Sequence, residues 1–567
     1  MTQFEHGIDR TLPDDGARPG EAVSVHLQAL LRLFGASTGN GRVLNELERT
    51  IAGDPVGYFN SPAFGGDMKE ALETAFSSAC LPELPVSIDE HVQHLQDKVF
   101  SRATPTASPR FVGHMTSALP SYLLPLAKIM TALNQNPVKL ETSNAFTPLE
   151  RQVLGMLHQL VFGCSEDFYR QSLQSGEHVL GAFCAGGTTA NITALWASRN
   201  NLMPADQGFA GVAREGLASG LKHYGYDGLA LLVSERGHYS LKKAADILGI
   251  GQDHLIAVPT DGAGRIRIGA LQSCVERLRL GNIKPLALIG IAGTTETGAI
   301  DNLDAMADVA GQAGCHFHVD AAWGGASLMS DRQRPLFKGI ERADSVVIDA
   351  HKQLYVPMGA GLVFFKRPML ATAISQHANY IVRKGSKDLG RHTLEGSRSA
   401  MAMLLYANLH ILGRRGYEQL IDHGVDNARY FAELIKQQDD FELLSEPQLC
   451  LLTYRHVPSV IMQALRKADG AQWVALQDGL DALNEDIQER QRDAGRSFVS
   501  RTRLTPDVSG GRSICVLRVV LANPLTTPSI LKDILHEQRA LALDSRCLAP
   551  LLALLTPPAQ SSAPVRG

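Results

Sequence analysis

Between residues 150 and 370 six short apolar runs alternate with helical segments: Leu229-Ala-Leu-Leu-Val-Ser, His254-Leu-Ile-Ala-Val, Leu286-Ala-Leu-Ile-Gly-Ile-Ala, His316-Phe-His-Val-Asp, Ser345-Val-Val-Ile-Asp and Gly361-Leu-Val-Phe-Phe. Runs this short and this continuously apolar suit strands buried on both faces, and parallel neighbours need helical crossovers between them. The pattern predicts an α/β fold with a mostly parallel central sheet. In such sheets ligands bind beyond the carboxyl ends of the strands.

At 567 residues the chain is too long for one compact core. Residues 1–22, rich in Gly, Pro and Asp, read as a flexible leader. An N-terminal helical arm follows at 23–105, where Val23, Leu27, Leu30, Leu31 and Phe34 recur at helical spacing, as in a dimerisation element. The large α/β domain is placed at 106–385. A small C-terminal α+β domain at 386–550 holds strands at Leu449–Arg455 and Ile514–Leu521 and a helix near Ser529–Leu541, with a mobile loop at 383–397 leading into it. A frayed tail closes the chain at 551–567. With 54 Lys and Arg against 58 Asp and Glu, no basic surface is expected for nucleic acid or an anionic membrane. The eight cysteines form no CxxC pair, so neither a metal site nor a disulfide scaffold is expected. The N-terminus has no signal-peptide pattern and no apolar run nears the roughly 20 residues of a membrane span, so the expectation is a soluble, cytoplasmic protein.

Four stretches at strand ends carry chemistry. Gly186-Gly187-Thr188-Thr-Ala-Asn opens a helix, where backbone N–H groups, a hydroxyl and the helix dipole suit a phosphate; on its own it fits a plain capped helix as well. His238 follows the run ending at Ser234 and suits stacking on a ring or moving a proton, or is a structural histidine. Asp320 ends a buried run and needs a cationic or hydrogen-bonding partner, such as a protonated pyridine nitrogen, unless it is a helix N-cap. Lys352, after Ser345-Val-Val-Ile-Asp-Ala-His, is a Schiff-base lysine or an ordinary loop cation. Together the four make the inventory that pyridoxal 5′-phosphate (PLP) requires.

Gly187-Thr-Thr-Ala-Asn, Gly237-His-Tyr-Ser-Leu-Lys-Lys-Ala, Gly293-Thr-Thr-Glu-Thr-Gly, His318-Val-Asp-Ala-Ala-Trp-Gly-Gly and Asp349-Ala-His-Lys resemble, in this order, the motifs of the group II pyridoxal-dependent amino-acid decarboxylases. The resemblance runs from about residue 106 to 540. It implies the fold type I of PLP enzymes and a homodimer with sites at the interface. By position it implies that Gly186, Gly187, Thr188 and His351 hold the phosphate, that His238 and Ala322 flank the ring, and that Thr295 lies near the ring oxygen. Asp320 then pairs with the ring nitrogen, and Lys352 binds the aldehyde.

Two further stretches resemble glutamate-type relatives: Pro109-Arg-Phe-Val-Gly-His-Met-Thr-Ser-Ala, which places His114 and Ser117 on the substrate side, and Leu517-Arg-Val-Val-Leu-Ala-Asn-Pro, which makes Arg518 the substrate-carboxylate anchor. The full pattern, with Glu141-Thr-Ser-Asn-Ala-Phe-Thr-Pro-Leu-Glu-Arg, is most similar to bacterial PLP-dependent aspartate 1-decarboxylases, which make β-alanine for pantothenate. Glutamate or cysteine sulfinate as substrate, and a catalytically silent PLP-fold partner protein, remain open. The sequence departs from the group in two places. No Tyr lies between Arg383 and Arg398 to return the proton after CO₂ leaves, so His392, His238, water or the partner subunit is considered instead. Asp349 stands where animal relatives have Asn near the phosphate, and is expected to point away from it.

Overall fold

The computed structural model describes residues 42–59, 73–377 and 386–555. They fall into two compact units. One comprises the described residues up to Ser108 with Arg492–Arg496, and the other spans Pro109–Gln491 and the chain from Ser497 on. In the first unit Ser87 caps the helix Ile88–Lys98 by accepting the Glu90 N–H. The leader, the apolar positions 23–34 of the arm, and residues 383–385 of the expected mobile loop lie outside the described residues.

The second unit is built on a seven-stranded sheet, in the order β1-β7-β6-β5-β4-β2-β3. Its strands are β1 (Gly181–Cys184), β2 (Gly228–Ser234), β3 (Leu255–Val258), β4 (Ile283–Ile291), β5 (His316–Asp320), β6 (Ser345–Asp349) and β7 (Gly361–Phe365). The pairs β2–β3, β2–β4, β4–β5 and β5–β6 are parallel, while β7 runs antiparallel to both β6 and β1. Every residue of β1, β2, β6 and β7 is buried, the signature of a sheet covered on both faces. β1 is only four residues long and follows a helix, which hid it from periodicity.

A second, antiparallel sheet has the order β10-β11-β9-β8, from β8 (Phe441–Ser445), β9 (Leu451–His456), β10 (Ser500–Leu504) and β11 (Ile514–Val520). The sequence pattern reveals β9 and β11, the buried central pair, but not the half-exposed β8 and β10. The expected frayed tail does not begin at 551. Leu551 is buried in the helix Leu548–Ala553, within the apolar cluster of Leu476, Leu480 and Leu483. Among the described residues no helix is long and apolar enough to cross a membrane.

Candidate active site

β7 is the hinge of the site, because Gly361 pairs with Cys184 of β1 on one side and with Asp349 of β6 on the other. β1 leads into Gly186-Gly187-Thr188 and β6 leads into His351-Lys352, so the expected phosphate cradle and the lysine emerge side by side. A Cβ on Gly361 would lie 2.4 Å from the carbonyl carbon of Gly186, which is why this position has no side chain.

The cradle is the N-terminus of the helix Gly187–Leu202. Gly186 N–H donates to Thr189 Oγ1 at 3.2 Å, and Ala190 N–H donates to the Gly186 carbonyl at 3.0 Å. The first-turn N–H groups in between have no carbonyl within the helix to receive them. The Thr188 hydroxyl likewise makes no hydrogen bond among the described residues, because Thr189, not Thr188, closes the turn.

Lys352 extends from a rigid loop. Asn408 Nδ2 donates to the carbonyls of Leu354 (3.0 Å) and Tyr355 (3.1 Å), and Tyr417 Oη donates to Leu354 O at 2.9 Å. Tyr355, at a φ of 55°, occupies the left-handed region that a bulky residue rarely adopts, and its hydroxyl is fastened to Ala522 O at 3.0 Å. Lys352 Nζ lies 3.1 Å from Asp349 Oδ2, and His351 Nε2 lies 3.6 Å from the same oxygen. His351 Nδ1 donates to Ala360 O at 2.9 Å. The expectation that Asp349 points away from the cradle is therefore incorrect. A Cβ on Gly187 would meet its Oδ2 at 2.9 Å, and pairing with the Lys352 ammonium is what keeps the carboxylate there.

Asp320 ends β5 and caps no helix, since the 3₁₀ turn Gly324–Met329 begins after Trp323. Its Oδ1 accepts the Ala322 N–H at 3.1 Å and its Oδ2 accepts Asn191 Nδ2 at 2.9 Å. Asn191 also donates to Ser240 Oγ at 3.1 Å, and its carbonyl lies 2.9 Å from His318 Nε2. His318 Nδ1 and His316 Nε2 both reach Ser345 Oγ, at 2.8 and 2.7 Å. At the other end of the chain, Ser240 N–H donates to His238 Nδ1 at 3.2 Å and Ser240 Oγ lies 2.9 Å from that nitrogen. Nδ1 is thus an acceptor, and neutral His238 carries its hydrogen on Nε2. Burial, ahead of the Lys352 charge, pushes the His238 pKa down, against the pull of Asp320, Asp349 and Glu296.

Arg518 lies on β11, opposite Ser500 and Thr453. The stretch after Pro109 is laid along this sheet: Val112 N–H donates to Phe498 O (2.9 Å) and Val520 N–H to Val112 O (2.7 Å). Gly113 O is thereby brought to Arg518 Nη1 at 3.2 Å, while Arg518 Nε donates to Thr295 O at 2.7 Å. Nη1 also donates to Ser500 Oγ at 3.2 Å, and Nη2 has no partner among the described residues. Burial pushes the Arg518 pKa down to about 10, opposed by Glu296. Glu296 Oε2 is itself buried without a hydrogen-bond partner among the described residues. Next to Gly113, His114 has its pKa lowered first by burial and then by Arg518, Lys352 and His351, which puts it in their company; its Nδ1 lies 3.2 Å from Thr116 Oγ1. Ser117 is half-buried, with its hydroxyl on Ala118 O.

His392 is placed elsewhere. It lines a cavity with Glu150, Arg151 and His178, and its charged neighbours are Arg391, Arg151 and His377. Tyr380, three positions before the span in which no tyrosine occurs, is outside the described residues. Sequence reading missed Asn191, Ser240 and Glu296, although each lies inside a motif it had singled out.

The fitted parts match a phosphorylated pyridine aldehyde: free N–H groups at a helix N-terminus, a carboxylate ending a buried strand, and a lysine on a clamped loop. The description "pyridoxal-dependent decarboxylase conserved domain" matches residues 67–457. An aspartate 1-decarboxylase of Aliivibrio fischeri is 55% identical over 526 residues, covering 93% of this chain and 96% of its own. The acidic amino acid decarboxylase GADL1 of Bos taurus is 31% identical over 382 residues, covering 66% and 68%. Among solved structures, mouse CSAD superposes with a TM-score of 0.76 at 25% identity, covering 90% of this chain and 99% of that one.

Proposed function

The chain belongs to the pyridoxal-dependent decarboxylases, with PLP as cofactor, and from that premise we propose that it removes the α-carboxylate of L-aspartate to give β-alanine and CO₂. The observation that carries the acidic substrate is Arg518, a buried guanidinium fixed by the carbonyls of Thr295 and Gly113 with Nη2 uncommitted. A guanidinium held this way offers a carboxylate a directed, charge-assisted hydrogen bond without having to reorganise. The 55% identity to the Aliivibrio fischeri enzyme supports aspartate in particular.

PLP, when bound, supplies the electron sink for the breaking bond. Gly186, Gly187, Thr188 and His351 would hold its phosphate. His238 and Ala322 would flank its ring, Thr295 would lie by the ring oxygen, Asp320 would keep the ring nitrogen protonated, and Lys352 would hold the aldehyde carbon. His114 and Ser117 border the substrate, and Arg518 holds its side-chain carboxylate. His238 Nε2–H is a hydrogen-bond donor within this group. We read the product as a pantothenate precursor and the enzyme as a homodimer with its sites at the interface; a reducing, cytoplasmic setting is supported by the eight cysteines, none of which is in a disulfide.

The test is product analysis with aspartate and glutamate at equal concentration. β-Alanine is expected to dominate. A preponderance of 4-aminobutyrate overturns aspartate, because one methylene is worth only about 1–3 kcal/mol in a pocket. Absence of CO₂ from a panel of amino acids, with PLP bound, overturns the activity altogether. Lys352→Ala is expected to abolish both turnover and the visible absorbance of lysine-bound PLP.

A further inference from the structure

Asp349 lies against the first residue of the cradle helix. Its Oδ2 is 3.1 Å from Lys352 Nζ and 3.6 Å from His351 Nε2, while Oδ1 is buried with no hydrogen-bond partner among the described residues. A Cβ on Gly187 would come within 2.9 Å of Oδ2 and 3.2 Å of Oδ1, so the carboxylate is packed against the first residue of the cradle helix. The charged and titratable groups that face it are Lys352 and His351 from its own loop, Cys184 from β1 and His238 from the loop after β2. The first turn of the helix brings only Gly and Thr. A second carboxylate, Glu395, accepts the Ala185 N–H at 2.8 Å beside the same cradle.

We propose that Asp349 is the counter-ion of Lys352 while the cradle is empty and carries a proton once a phosphate stands on it, so that cofactor docking takes up a proton. A phosphate ester brings nearly two negative charges, and like charges sharing a buried site do not both stay ionised. Protonated, Asp349 gains a donor, and Oδ1, which has no hydrogen-bond partner among the described residues, can give its hydrogen to a phosphate oxygen. The proposal rests on the assignment of Gly186–Thr188 and Lys352 to the cofactor. It makes Asp349 a positioning residue for phosphate and lysine.

The experiment is calorimetric titration of pyridoxine 5′-phosphate, which has the phosphate but no aldehyde, into the cofactor-free full chain in buffers of different ionisation enthalpy. At pH 8 the wild type is expected to take up close to one proton per site, and Asp349→Asn markedly less. The wild-type Kd should rise with pH above 7.5, approaching about tenfold per unit, while that of Asp349→Asn stays nearly flat. Equal proton counts in the two proteins, or weaker binding by Asp349→Asn at every pH, overturns the proposal. Should the variant not fold, absence of proton uptake by the wild type does so by itself. Competition with PLP separates the two levels. Failure to compete overturns the site assignment and this proposal together, whereas competition without proton uptake overturns this proposal alone.

Discussion

Asn191 divides its amide hydrogens between Asp320 Oδ2, at 2.9 Å, and Ser240 Oγ, at 3.1 Å, so one side chain orients both the Asp320 carboxylate and, through Ser240, His238. His318 fixes the orientation of that amide from behind. Asn191→Ala leaves a buried carboxylate oxygen and a serine hydroxyl short of a donor, a loss of about 1–3 kcal/mol. The expected result is a roughly 5- to 150-fold drop in kcat/KM with altered absorbance of bound PLP. Unchanged absorbance and turnover would mean that Asp320 is held by the Ala322 N–H alone.

Gly361 makes the cradle and the lysine loop mechanically one object. Gly361→Ala puts a methyl group into the backbone of Gly186, at distances of 2.4–2.7 Å that no side-chain rotation relieves. Overpacking of this kind is worth about 1–3 kcal/mol. The variant should unfold at lower temperature and bind PLP more weakly than the wild type, read by thermal melts and PLP titration. Wild-type affinity would show that β1 and β7 can part without cost to the cradle.

Arg518→Lys should discriminate between anchoring and general electrostatics. A lysine keeps the charge but loses the fork that rests on the Thr295 and Gly113 carbonyls. KM for aspartate is expected to rise by about tenfold or more, while PLP absorbance is unchanged. An unaltered KM removes Arg518 from the substrate site.

The scaffold was legible because its strands are continuous apolar runs, and Lys352, Asp320 and His238 because they follow such runs directly. Glu296 and Asn191 were hidden for a different reason. Their significance lies in what they face across the sheet, and nothing local in a sequence encodes that. Asp349 departs from the sequence expectation because the fold of its own loop returns Lys352 to it, and that ammonium retains the carboxylate. The short β1 and the half-exposed β8 and β10 lack the pattern on which periodicity depends.

His238 provides a pH test. Its pKa is held below the ordinary 6.5 by burial, so the ring is neutral at pH 7 and gains a proton only on further acidification. Glu296 opposes that shift, and Glu296→Gln should move the acid limb of kcat/KM to lower pH. A limb that moves upward, or stays in place, would dissociate Glu296 from His238.

Stability should respond to acid through buried histidines before it responds through carboxylates. Burial pushes the pKa of His158 down to about 4 and of His392 to about 3, and it lowers those of His316, His318 and His456 as well. Because the folded values are depressed, the unfolded chain binds more protons below about pH 6.5. The contribution is therefore complete above that pH and is lost progressively as pH falls towards the folded values. Each group can remove up to about 1.4 kcal/mol per pH unit in that window. The PLP-bound protein is expected to melt several degrees lower at pH 5 than at pH 7. His158→Gln should flatten the slope, since a glutamine can take over the contact with Tyr169 Oη or Phe365 O without a charge to neutralise. A melting temperature that holds to pH 5 would mean that these rings are protonated in the fold, with acceptors now occupied by Ser345 and Asn191 rearranged around them.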